Sequence, residues 1–128
     1  MSDIPLFKRA FPYQNNVLAL PVVDLDAASQ WYTNAFGLRE VERRDEPHHA
    51  VILERDGVRI GFALTGGVAS QDGAGIEVSD IHRAKEQIKA GLDVGDERID
   101  DHDGEKRRVC FVVAPDGLCF NFYEAIPD

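Results

Sequence analysis

The chain contains two copies of one pattern, and that repeat limits what it can fold into more than any other feature. Val22, Asp24, Leu25 and Ala28 return as Val78, Asp80, Ile81 and Ala84, each 56 positions later. Arg-Asp-Gly-Val-Arg-Ile-Gly-Phe at 55–62 returns as Pro-Asp-Gly-Leu-Cys-Phe-Asn-Phe at 115–122, an offset of 60. Self-similarity on this scale marks one supersecondary unit used twice. In each copy a helical pattern opens and then stops at a glycine, Gly37 after DLDAASQWYTNAF and Gly91 after DIHRAKEQIKA, where a helix end favours a left-handed residue. Each pattern predicts a helix of about three turns. Alternating runs, VLALPVV and AGIEVSD, precede the helices. HHAVILER and VRIGFALT flank Asp56-Gly57, and KRRVCFVV and LCFNFYE flank Asp116-Gly117, both turn signals. Each half therefore reads strand, helix, strand, strand, strand. The modules span about 15–65 and 73–124 of a single domain, 1–128. Two paired βαβββ modules predict an α+β fold, a curved mixed sheet around a cleft with the helices on its outer face.

Strand alternation divides the side chains between two faces. Leu18, Leu20, Val22, Val51, Leu53, Ile60, Phe62, Leu64, Ile76, Val78, Val109, Phe111, Val113, Phe120 and Phe122 form an apolar set that must pack on the helices. The helices answer with stripes of their own, Leu25, Ala28, Tyr32, Ala35 and Phe36 in the first and Ile81, Ala84 and Ile88 in the second. The opposite face carries Val17, Ala19, Pro21, His48, Glu54, Arg59, Gly61, Glu77, Arg108, Cys110, Cys119, Asn121 and Tyr123. So few large side chains cannot close a second core, which leaves two readings, a ligand cleft with a few orienting polar groups or the ordinary solvated face of an antiparallel sheet.

Composition removes several function classes. The balance of 14 Lys+Arg against 23 Asp+Glu leaves a formal charge of −9, which repels nucleic-acid phosphates and acidic membranes; it would favour cationic ligands, although taken alone it reads first as acidity that serves solubility. The opening MSDIPLFKRAFPYQNN has no apolar signal core and no run is long enough to cross a bilayer, which predicts a cytoplasmic protein. Cys110 and Cys119 then read as reduced packing residues. His48 and His49 are adjacent and point to opposite faces of a strand, while His82, in a first helical turn, and His102, in an acidic loop, read as surface residues. The stretch DVGDERIDDHDGEK at 93–106 lacks most of a calcium loop and reads as a solvated connection near the cleft mouth.

With the paired modules, the pattern V-x-D-L…WY…FGL over 22–38 and the ending FVVAPDGLCFNFYE over 111–124, the chain resembles the vicinal-oxygen-chelate superfamily of glyoxalases, extradiol dioxygenases and bleomycin-resistance proteins. The resemblance covers nearly the whole chain. It implies a divalent metal held by one ligand from the first and one from the last strand of each module. Counting places those positions at Val17, Gly61, near Gly73, and at Asn121. A single amide oxygen cannot hold such a metal, so neither metal nor other cofactor is expected. LPVVD at 20–24, GIEVSD at 75–80 and PDGLCFNF at 115–122 are most similar to the bleomycin-resistance branch. That likeness implies a non-catalytic homodimer that sequesters a cationic or aromatic small molecule between subunits. It also implies that the arm ahead of Val17, with Pro5 and Pro12, can cross to the partner.

The candidate ligand-binding residues are Asn121, Tyr123, Glu77, Arg59 and His48 on the polar face, with Trp31 available for stacking or for helix packing. The alternative is an enzyme, either a metal lyase or dioxygenase with displaced ligands or a metal-free isomerase using Glu77 or His48 as base. Glu54 and Arg59 should pair across the first hairpin, and Glu77 with an arginine, which gives those charges a structural explanation.

Overall fold

Asp24 and Gly37 bracket the first helix as the sequence requires. In the computed structural model, which describes residues 5–12, 16–87, 98–102 and 104–126, helix α1 (Leu25–Phe36) begins with the Asp24 carboxylate accepting from the Ala27 N–H and stops at Gly37 with φ 72°. The first module continues through strands spanning Leu20–Pro21, Arg39–Arg44, Ala50–Arg55 and Val58–Ala63, which we number β2 to β5. An additional strand, β1 (Phe7–Pro12), precedes them. The second module comprises β6 (Gly73–Val78), α2 (Ile81–Gln87), β7 (Arg98–His102), β8 (Glu105–Val113) and β9 (Cys119–Ile126). Ile88 and Gly91 lie outside the described residues.

The repeat is carried into the topology. The first module is ordered β2-β5-β4-β3 and the second β6-β9-β8-β7, the same arrangement, with first and last strands parallel and the others antiparallel. The fold is therefore the expected α+β pair of βαβββ modules, with its strands divided between two hydrogen-bonded sheets. Within the chain, β1 pairs antiparallel with β6, from Phe7 opposite Val78 to Pro12 opposite Ala74.

One core joins the modules. Tyr32 stacks on Phe62 of the first module at 4.3 Å between ring centroids and meets Phe120 of the second edge-on at 5.4 Å. The aspartates of the two repeated turns act as pins. Asp116 accepts a hydrogen bond from the Tyr32 hydroxyl at 3.0 Å, and Asp56 Oδ2 accepts from the backbone N–H groups of Leu6 and Phe7 at 2.9 and 3.0 Å. Arg55 donates to the Phe36 carbonyl at the end of α1 and to Gln87 of α2. Asp56 itself sits at φ 55°, so Asp56→Gly removes the acceptor without backbone strain. That change is expected to lower stability by about 1–3 kcal/mol, the usual penalty for orphaned donors, and to raise amide exchange at Leu6 and Phe7.

Four readings of the sequence need correction. VLALPVV is not one strand, because Asn16 caps a turn by accepting from Leu18 N and Ala19 N, and the regular ladder with β5 is confined to Leu20–Pro21. The stretch read as a solvated connection contains β7, an edge strand that needs only one partner, β8, and so carries no apolar alternation to betray it. His102 is its last residue. The third correction concerns β8, where Cys110 and Val112 join the core and Phe111 and Val113 are exposed, the reverse of the expected parity. Arg108 moves to the helix side with Cys110, opposite Glu124, whose carboxylate accepts from Ile81 N of α2. Leu64, just beyond β5, is also exposed rather than buried.

Candidate functional site

The face of the second sheet turned away from the helices follows from pair register, since directly opposed residues share a face. One row across four strands runs Phe11, Gly75, Asn121, Phe111, and the next runs Arg9, Glu77, Tyr123, Val109. With strands about 4.8 Å apart, Phe11 and Phe111 rise from backbones roughly 14 Å apart. Both rings are accessible, at 46% and 37% exposure. Between them the floor is low, because Gly75 has no side chain and Asn121 lies down over it: a Cβ on Gly75 would stand 2.6 Å from Asn121 Oδ1. That oxygen is shielded from water and has no hydrogen-bond partner among the described residues. The adjoining row is electrostatically settled. Glu77 is buried and paired with Arg9 at 2.8 Å and Lys8 at 3.7 Å. The Arg107 guanidinium lies 4.6 Å from the centre of the Tyr123 ring.

The corresponding face of the first sheet is closed at its centre. Gly61 N donates to the Val17 carbonyl at 2.9 Å, and Leu18 O occupies the space above Gly61. Beyond it lies a cavity of about 500 Å³ lined by Ala19, Pro21, His48, Thr65 and Asp72 among others. Here Arg59 faces Glu54 across the hairpin at 2.9 Å, as its spacing predicts.

The expected site residues thus separate into groups. Asn121, Tyr123 and Glu77 come together on the second sheet; Arg59 lies on the first, engaged with Glu54; His48 is exposed on the loop before β4 at the cavity wall. Trp31 belongs to neither face. It stands on α1, edge-on to Phe36 at 5.6 Å. Sequence reasoning missed Phe11 and Phe111, the first because it precedes the repeat. The second was missed because RVCFVVA is apolar on both faces and carries no mark of parity.

The metal positions do not fit a divalent ion. Val17 offers its backbone, Gly61 and Gly73 offer no donor, and Gly75, beside Asn121 in register, offers none either. A side chain at Gly61 or Gly73 would start 2.2 Å from Leu18 O or 1.7 Å from Cys119 O, so these positions are sterically shut. No group of three or more His, Cys, Asp or Glu converges as a metal site among the described residues.

The paired modules and the shared strand order define a protein of the vicinal-oxygen-chelate class. The chain belongs to the Glyoxalase/Bleomycin resistance protein/Dioxygenase superfamily, whose family model matches residues 14–122. Its fold is similar to an integron cassette protein from the mobile metagenome of Vibrio cholerae, with 14% identity, 97% of this chain and 98% of that one covered, and a TM-score of 0.63. A superfamily protein of Alicyclobacillus acidocaldarius gives 22% identity, 89% and 94% coverage and a TM-score of 0.62. The fosfomycin resistance protein FosX of Listeria monocytogenes, solved with Mn(II) and a dihydroxypropylphosphonic acid, gives 17% identity, 89% and 93% coverage and a TM-score of 0.61. No curated protein matches the chain by sequence. Among the described residues, no helix is long and apolar enough to cross a membrane.

Proposed function

We propose that the protein is a non-catalytic binder of a cationic or aromatic small molecule, held on the helix-free face of the second sheet between Phe11 and Phe111. The observation that carries this reading is the Asn121 oxygen, folded down against Gly75 without a partner. An unsatisfied buried acceptor costs about 1–3 kcal/mol. A ligand N–H or O–H that draws the amide outward recovers that cost, while the two rings take up an aromatic body. Glu77 remains paired with Arg9 and Lys8, which supports a structural part for it rather than that of a general base.

The exposure of Phe11, Phe111 and Val113 on this one face also supports a homodimer in which a second copy completes the groove. Sedimentation at micromolar concentration should then show twice the chain mass.

Thermal unfolding with metal-free bleomycin and a panel of cationic aromatic drugs tests the ligand. At a hundredfold excess over Kd the gain is about 2.7 kcal/mol, a shift of several degrees. Asn121→Ala and Phe11→Ala should each weaken binding about tenfold or more with the unliganded protein still folded. A panel without any saturable shift, or a shift indifferent to both substitutions, sinks the proposal.

A further inference from the structure

We infer that the protein carries a second ligand site, on the helix side of the fold, that takes a small organic ammonium ion. A cavity of about 280 Å³ opens between the first turns of α1 and the loop joining β8 to β9. Val22, Val23, Ala27 and Pro115 give it apolar walls, Trp31 gives it an aromatic one, and Asp24 and Asp116 are the charged groups that line it. Its volume is near the lower end for small-molecule pockets, which suits a single ring with a short arm.

The two carboxylates set the sign of the ligand. Neither belongs to any of the ion pairs formed among the described residues. Among the described residues, Asp116 accepts from neutral donors, including the Tyr32 hydroxyl and the Leu118 N–H. Burial pushes its carboxyl above the ordinary range, as expected where a charge leaves water. Asp24 uses Oδ1 to cap α1. The helix N-terminus, which by itself would favour an anion, is already answered by Asp24 and by Asp26 in its first turn. An ammonium group supplies the missing positive charge and N–H donors. Its hydrocarbon part covers the valines and Pro115, and Trp31 adds cation–π attraction. Anions are repelled, and neutral molecules of the same shape gain only the apolar contact. This site is separate from the face proposed for the main ligand, since Trp31 and Asn121 lie on opposite sides of the fold.

Trp31 is the only tryptophan, so tryptophan fluorescence reports on the aromatic wall of this cavity. Titrating the full chain with benzylammonium should give a saturable change, with affinity at least tenfold above that for benzyl alcohol, and benzoate should give none. Asp24→Asn keeps a good cap, and Asp116→Asn keeps the oxygen that accepts from Tyr32 and Leu118. Each variant, folded by circular dichroism, should bring benzylammonium down to the affinity of the alcohol, whereas Asn121→Ala should leave it unchanged. Equal binding of ammonium and alcohol by the wild type, no saturable signal, or loss in Asn121→Ala with retention in Asp24→Asn would overturn the assignment.

Discussion

Gly73→Ala is expected to lower the unfolding free energy by about 3 kcal/mol or more, at the upper end of overpacking effects, and the melting temperature by roughly 10 °C. The added Cβ would meet Cys119 O at 1.7 Å and Cys119 N at 3.0 Å. These are backbone atoms of the paired strand and cannot swing aside, so β6 and β9 must part where they begin. Gly61→Ala meets the same obstacle in the first module, with Leu18 O at 2.2 Å and Ile52 Cδ1 at 2.7 Å. Gly66→Ala is the control: φ is +81° but nothing lies within 4 Å, so only the backbone term of about 1 kcal/mol applies. Urea midpoints of the three variants separate the cases, and a Gly73→Ala protein no weaker than Gly66→Ala would show that the strands do not approach so closely. There is a functional corollary. Single substitutions at 61 or 73 will damage the fold before they create a metal ligand, so Gly61→Glu should not confer Mn(II) binding in calorimetry.

The second large effect concerns the residue on which both modules rest. Tyr32→Ala removes a fully buried ring that touches Phe36, Phe62 and Phe120, and should cost about 3–5 kcal/mol. Tyr32→Phe keeps the ring and deletes only the donor to Asp116, for about 1–3 kcal/mol. Asp116→Asn should act in the opposite sense. Because burial raises the folded pKa of this carboxyl, the folded chain holds its proton more tightly than the unfolded chain. Its contribution is therefore most favourable below the unfolded carboxylate pKa and is lost as pH rises through the folded one. Asparagine has no charge to bury and still accepts from Tyr32 and Leu118. The stability of the variant relative to wild type should climb as pH rises across that window, and unfolding curves at pH 4 and pH 7 measure the climb. A difference that stays flat would mean that the Asp116 charge is not penalised by folding.

The sequence by itself determined the repeat, the α+β class, the limits of α1, the hairpin at Asp56-Gly57 and the Glu54–Arg59 pair. All of these rest on local chemistry: a cap four residues or fewer away, a left-handed glycine, or charges placed opposite by a two-residue turn. At the positions where the family resemblance puts metal ligands it placed one side-chain donor, the Asn121 amide, since residue identity is enough for that. Tertiary structure alone decided the parity of β8, because a run apolar on both faces takes its orientation from β9, through Cys110 opposite Phe122. It likewise decided that the arm lies on β6 and brings Phe11 level with Asn121 and Phe111, as register between distant segments leaves no local trace. Trp31, Asp24 and Asp116 are ordinary helix and turn residues when read along the chain. They line one cavity only because packing of the two modules sets the β8–β9 loop against the start of α1.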